Sequence, residues 1–430
     1  MTHKSIIHAP VIAGIAAFLT VAATLPVIAA DEVESFYKRK RVTIYVGYSP
    51  GGGYDQYARM LARHMGQFIP GKPRIIVKNR PGAGSLVLTN EMKASQPKDG
   101  TVIATIGRGV VLEPLFGNRQ AQFDPLEFGW IGSMNNEVSV CAAWHTAPVK
   151  TFADLQTRGM IVGGTARGSD TDSYPTMLNN LLGTRMKLVS GYPGGNDINF
   201  AVEKGELEGR CGWSWASVIS TRPNWQKEKK IVVLAQLSTA KHPDLPDVPL
   251  VTEFATDEKQ KQIMALVFNS QIWGRPFFTT SGVPANRVAA LRSAFMQTLK
   301  DPKFLAEAQR SKQEINPVSG EDVEKAVREV YTTPKEIALA AKEATENTAK
   351  IEISKARIEN LAVTARIDAL EKGGREILFS ANGKAHKAAI SGSRTAVLVG
   401  GKEAKRSALK VGMTCAFEVV GVEARKIACQ

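Results

Sequence analysis

The stretch "VTIYVGYSPGGGYDQYARMLARHM", Val42 to Met65, contains a formal match to a nucleophile motif. Gly47-Tyr48-Ser49-Pro50-Gly51 reads G-x-S-x-G. In a nucleophile elbow the residue after the serine donates its backbone N–H to the oxyanion hole. Here that residue is Pro50, which has no N–H, so the match fails as a hydrolase site. A phosphate-binding P-loop needs G-x-x-x-x-G-K-[ST], but Tyr54 and Asp55 follow the glycines. The dinucleotide fingerprint G-x-G-x-x-G would put its third glycine at Gln56 and fails too. Asp55 and Asp197 fit helix-capping roles rather than an acid/base pair near Ser49. Metal chemistry has no spacing to rest on. The chain has no C-x-x-C, and His64, His145, His242 and His386 are scattered. No metal, cofactor or catalytic residue is expected.

What remains is reversible binding by backbone. Glycine-rich turns open helices at Gly51–Gly53, Gly82–Gly84, Gly168 and Gly194–Gly195, each after a strand-like run. A helix N-terminus offers unpaired N–H groups and a partial positive charge. Several converging on one cleft would hold a carboxylate or phosphate. Any one of these turns could equally serve only to bend the chain. The expected donors and walls are Tyr48, Ser49, Gly51, Gly52, Gly53, Tyr54 and Asp55 in the first turn, and Tyr192, Gly194, Gly195, Asn196 and Asp197 in the second. Ser169, Arg108 as a counter-charge and Trp215 as an aromatic floor complete the set. Trp213 lies close to the same place, and one of the two tryptophans could be core. On this reading Gly52→Ala and Gly195→Ala each weaken binding at least tenfold.

The elements that must position these turns alternate. Thr43–Val46, Arg74–Val77 and Thr101–Ile106 read as strands, with helices Asp55–Met65 and Leu86–Ala94 between them. A second set repeats the pattern from Met160 to about Ser238. Four helices follow, near 257–267, 284–299, 302–311 and 321–331. Two α/β units joined by several crossings predict a two-lobed fold with a cleft at the carboxyl ends of the strands. We divide the chain into a first lobe of 31–140 and 241–333, and a second lobe of 141–240. Residues 334–373, rich in Ala, Glu and Lys and without glycine until Gly373, predict a helical connector of about 55 Å. Residues 374–430 are short and strand-rich and predict a small β-domain.

Composition bounds the setting. The 430 residues carry a formal net charge of +14 and a pI near 9.5, which favours anionic partners. The lysines are dispersed and lack interleaved aromatics, so nucleic acid is not expected. Residues 1–30 hold a weakly basic start, an apolar run and the small residues "PVIAAD". They read as a secretory signal peptide with cleavage near Ala29 or Ala30; an uncleaved anchor is the alternative. Export makes disulfides the reading of the four cysteines. A hairpin turning at Gly421–Glu423 centres on Val422 and sets Cys415 opposite Cys429, which predicts a bridge. Cys141 and Cys211 are a second candidate pair.

The run from Arg41 to Tyr331, about 290 residues, resembles the Bug-type receptors, the periplasmic solute-binding proteins of tripartite tricarboxylate transporters. P-G-G-x-x-D, N-R-P-G-A-G and L-P-D-V-P, with "SGYPGGNDINFAVEKGELEGRCG", carry the resemblance. It implies two hinged α/β lobes that hold a small organic carboxylate on backbone amides of the loops Ser49–Asp55 and Tyr192–Asp197. It also implies membrane permease subunits as partners and a monomeric, periplasmic receptor. Tyr54, and Pro193-Gly194-Gly195-Asn196, depart from the family's usual loops, as does "GWSWAS". The extension Pro334–Gln430 lies outside the resemblance. An alternative follows from it: a binding protein that signals through its extension.

Overall fold

The computed structural model describes residues 32–430 except 358–359, 372, 391–394 and 422. The segment 1–30, read from the sequence as a signal peptide, lies outside the described residues.

Three sheets organise the chain. The first holds β1 (Arg41–Val46), β2 (Arg74–Asn79), β3 (Val102–Thr105), β4 (Gly129–Ser133), β10 (Pro276–Thr279) and β11 (Val318–Ser319), in the order β11-β4-β10-β3-β1-β2. The β1, β2 and β3 strands run parallel, as strands joined through helices do, and β10 is antiparallel to both β3 and β4. All four residues of β3 are buried, the pattern of a strand covered on both faces. The second sheet holds β5 (Ser139–Trp144), β6 (Met160–Gly163), β7 (Met186–Ser190), β8 (Gly209–Ser214), β9 (Ile231–Leu237) and β12 (Ile353–Lys355), in the order β12-β7-β6-β8-β5-β9.

The chain passes from the first sheet to the second between Ser133 and Ser139. It returns at Pro276, later than the boundary at 241 expected from the sequence. Before that return, Gln236 N donates to Pro249 O, and helix Glu258–Phe268 packs on the second lobe's side.

The expected connector of 334–373 is corrected. Its helix, Lys335–Glu346, ends at Asn347, where Asn180 donates to the carbonyls of Ala344 and Asn347. It lies against helices Asp170–Leu182 and Glu258–Phe268. Residues 353–355 then form β12, which adds in parallel to β7 at the edge of the second sheet. β13 (Asn360–Glu371) already belongs to the β-domain, which therefore starts before 374. Its exposure alternates through 360–367, a period of two that the Ala/Glu/Lys-rich composition conceals.

That domain also contains β14 (Glu376–Ala381), β15 (Lys384–Ile390), β16 (Ala396–Val399), β17 (Lys402–Glu403), β18 (Thr414–Val420) and β19 (Glu423–Cys429). The order is β15-β14-β13-β18-β19-β16-β17, and a parallel β15–β19 pairing closes five strands into a barrel. Its core includes Ile367, Ile377, Phe379, Phe417 and Ile427, with Phe379 stacked on Phe417 at 4.1 Å between centroids.

Cys415 pairs directly with Cys429 across β18 and β19 and is bridged to it. A bulge between Glu418 and Val419 shifts the register toward the turn but leaves the cysteines opposed. Cys141 and Cys211 are bridged as well, joining β5 to β8. For a loop the size of the one closed by Cys415 and Cys429 the bond contributes roughly 3 kcal/mol. A Cys415→Ser/Cys429→Ser variant is therefore expected to lose that much in the barrel's unfolding transition. Thiol labelling of the denatured, unreduced wild type should find no reactive cysteine.

Candidate functional site

The cleft between the first two sheets is lined by Tyr48, Ser49, Gly52, Gly53, Tyr54, Asp55, Ser169 and Gly195, all expected from the sequence. It is also lined by Asp170, Asn199, Arg210, Trp213, Ser217 and Arg275, which were not in that set.

The first wall is the turn after β1 and the helix it opens, α1 (Gly53–His64). Gly51 turns the chain at φ +81°, where a side chain would be strained. Asp55 stands at the third helical position and accepts from Gly51 N at 3.0 Å, Arg59 Nε at 2.9 Å and Asn79 Nδ2 at 2.8 Å. It is a capping carboxylate, and the Gly51 N–H is committed to it. Tyr48 and Tyr54 stack at 5.0 Å, and Tyr54 Oη accepts from Arg108 N.

The second wall is the turn after β7, the helix α2 (Asp170–Leu182) with its cap Ser169, and α3 (Gly195–Glu203). The start of α3 faces the start of α1 at close range. A Cβ built on Gly52 would lie 3.7 Å from Asn196 N and 3.8 Å from Gly195 N. Two positive helix ends thus meet, which favours an anion between them.

The lobes touch here. Ser49 Oγ donates to Asp197 Oδ2 at 2.5 Å, and Ser49 N donates to Pro193 O. A Cβ on Gly194 would stand 2.3 Å from Ser49 Oγ. Gly194, Asn196 and Asp197 therefore serve the contact between lobes rather than line the cleft, as does Gly51, beside Asn196. Tyr192 packs in the second lobe's core.

Two expectations are corrected. Arg108 is no free counter-charge: it is buried, ion-paired with Asp170, and donates to Ser214 Oγ at 3.0 Å and Ser139 Oγ at 2.6 Å. Trp215 is not the floor. It begins a helix just past β8, is buried, and its indole N–H points to Asp244 Oδ2 at 3.4 Å. Trp213, the alternate residue on β8, takes that place.

The decisive group was missed. Arg210 on β8 sits over the Trp213 ring at 4.9 Å, and its Nη1 donates to Gly195 O and Asn199 Oδ1, each at 3.0 Å. It has no carboxylate partner among the described residues, and its Nε is buried without an acceptor. Burial chiefly, with Arg275 and Arg222 nearby, pulls its pKa down to about 9, and Tyr48 and Asp170 pull the other way. It stays protonated at neutral pH, so the cleft holds an uncompensated cation beside two helix N-termini. The other cleft arginine, Arg275, is compensated. It pairs with Glu137 at 2.7 Å, donates to Ser217 Oγ at 2.6 Å and lies over Tyr54.

Glycine is needed at 195 because a Cβ there would stand 2.6 Å from Arg210 Nη2. Gly195→Ala should displace the guanidinium and lower affinity for an anionic ligand at least tenfold by calorimetry, with the thermal midpoint little changed. Gly52→Ala, by contrast, meets only ordinary contacts and should fold normally.

Two buried carboxyls flank the cleft. Asp197 and Asp172 are each raised to about 6 from an ordinary 3.8, by burial first, with hydroxyl donors Ser49 and Ser190 pulling back. The native values lie above the unfolded ones, so the native state binds more protons between them. Stability therefore rises as pH falls from about 6 to 4, and is lost as pH climbs through 6. The contribution is on the order of 2–3 kcal/mol per group. Asp172→Asn should remove about half of the rise in thermal midpoint across that window, Asp197 supplying the rest.

Comparison with known proteins adds relatives and a fold. No family model matches the chain. It is 26% identical over 255 residues to the "UPF0065 protein in tcbD-tcbE intergenic region" of Pseudomonas sp. (strain P51), 57% of this chain and 70% of that one. It is 30% identical over 115 residues to the "UPF0065 protein in gbd 5'region" of Cupriavidus necator, 27% of this chain and 33% of that one. Among solved structures it is similar to the periplasmic binding protein BugD, with a TM-score of 0.57 and 21% identity over 72% of this chain and 98% of the other. R. palustris Rpa4515 with adipate gives 0.56 and 18%, over 70% and 97%. MatC from Rhodopseudomonas palustris with bound malate gives 0.55 and 18%, over 69% and 99%. The resemblance to Bug-type receptors and the two-lobed periplasmic-binding-protein fold are both borne out. The neighbours cover about seven-tenths of the chain.

Proposed function

We propose that this chain is an extracytoplasmic solute-binding receptor that closes over a small organic carboxylate and presents it to membrane permease subunits of a tripartite tricarboxylate transporter. The observation that carries it is Arg210, a cation with no carboxylate partner among the described residues, in a cleft where two helix N-termini face each other. A carboxylate supplies the missing charge, accepts from the guanidinium and lies near the amides at the starts of α1 and α3. Trp213 and the Tyr48–Tyr54 stack offer apolar faces to the rest of the ligand. The relatives solved with adipate and malate support this class of ligand, and likeness to periplasmic binding proteins supports the location. Ser49 serves a contact between lobes, so the protein acts by binding rather than by hydrolysis.

Native mass spectrometry of the purified protein, followed by calorimetry against a panel of mono- and dicarboxylates that includes adipate and malate, tests the proposal. A carboxylate binder at micromolar affinity is expected. Failure of every carboxylate, or retention of a neutral molecule, overturns it.

The extension favours a second reading, a receptor that signals, because β12 pairs with β7 and Lys387 of the barrel lies over Phe200 of the second lobe. Removing residues 357–430 separates the two. Loss of uptake speaks for transport, and loss of induction with uptake intact speaks for signalling.

A further inference from the structure

One end of the barrel combines exposed cations with an apolar tip. The turn Lys410–Met413 precedes β18 and is held by Met413 N donating to Lys410 O, Gly412 N donating to Ile367 O, and Arg366 Nε donating to Gly412 O at 3.0 Å. Val411 at its tip is 60% exposed, the most exposed large hydrophobic residue among those described. Between Lys402 and Met413 the sequence places four cations, Lys402, Lys405, Arg406 and Lys410, against one carboxylate, Glu403. Arg366 stands at the base of the turn, and the side chain of Arg406 reaches the Gly373–Gly374 turn, 3.9 Å from a Cβ built on Gly374. That brings Arg375 to the same end. The nearby carboxylates are outnumbered: Asp368, which accepts from Ser380 Oγ, keeps its charge, and Glu371 and Glu376 share Lys387, against the six cations Arg366, Arg375, Lys402, Lys405, Arg406 and Lys410.

We propose that this end of the barrel docks on an anionic phospholipid surface, with Val411 entering the headgroup layer and the surrounding cations on the phosphates. A rim of Lys and Arg around a protruding apolar residue suits a lipid interface better than an acidic protein. An anionic protein segment would need the cations but would leave Val411 in water. No helix among the described residues is long and apolar enough to cross a membrane, so such contact would be peripheral and salt-sensitive. The inference stands apart from the cleft and does not require the ligand to be known.

The test is co-sedimentation of the full-length mature protein with vesicles of phosphatidylcholine alone or with about a third phosphatidylglycerol. Binding is expected only to the anionic vesicles and should vanish at high salt. Lys410→Glu and Arg406→Glu should each weaken it at least about fivefold, the effect of one charge at such a surface. Val411→Asp should weaken it by tenfold or more. Ligand calorimetry and circular dichroism should be unchanged, which shows that the cleft and the barrel survive. Equal binding to neutral vesicles overturns the proposal, as does wild-type behaviour of Val411→Asp. So does competition by soluble polyglutamate as effective as the anionic vesicles, which would indicate an acidic protein partner. Should a variant fail to fold, the lipid and salt dependence of the wild type decides alone.

Discussion

Arg210→Gln should lose at least a hundredfold in affinity for the carboxylate while leaving the fold intact. Hydrogen bonds to a charged group are worth about 1.5–3 kcal/mol each, and a guanidinium offers two to one carboxylate. The substitution removes the one cleft cation lacking a carboxylate partner among the described residues, so nothing else in the wall replaces it. Stability should hold or rise, because burial already disfavours the charge. Calorimetry and thermal melts on the same sample separate the two effects. Arg210→Lys should recover only part of the affinity, since an ammonium cannot meet a carboxylate in the bidentate manner. Wild-type affinity in Arg210→Gln would refute the proposed role.

The second large effect concerns the pair that stands where the lobes join. Glu137 lies on the segment leading into β5, and Arg275 immediately before β10, so the two chain crossings meet in this ion pair. Both side chains are almost wholly buried. Glu137→Ala leaves the guanidinium without its counter-charge, which typically costs 3–5 kcal/mol. We expect a loss of that size in denaturant unfolding. The double variant Glu137→Leu/Arg275→Met should regain most of it, because an apolar pair carries no desolvation cost. A single variant as stable as wild type would show that the pair is not a structural pivot.

The turns and the barrel bridge were readable because their signals are local. Glycine runs after β-branched strands mark helix starts, and the spacing of Cys415 and Cys429 about one turn fixes a cross-strand pair. Arg210 was not readable for the opposite reason. It is one of 55 Lys and Arg residues, and what distinguishes it is the lack of a carboxylate partner among the described residues, a property of folded space. Arg108 looked as promising in sequence, yet Asp170, 62 positions away, neutralises it. The choice between Trp213 and Trp215 depended on where β8 ends, a boundary no residue announces. The helix expected to run to Gly373 failed because Ala, Glu and Lys favour helix on average, while pairing with β18 settles 360–366 as strand.

The strand β12 has a mechanical consequence. A segment joined only by a loop would let the barrel swing freely, but β12 pairs along β7 and Lys387 of the barrel lies over the Phe200 ring of α3, 5.9 Å from its centroid, which makes the barrel an outrigger of the second lobe. Any change in the angle between the two large sheets must sweep the barrel along, magnified by its distance from the pivot at Glu137 and Arg275. A surface touching both the first lobe and the barrel would thus feel the state of the cleft as a change of span, without touching the ligand.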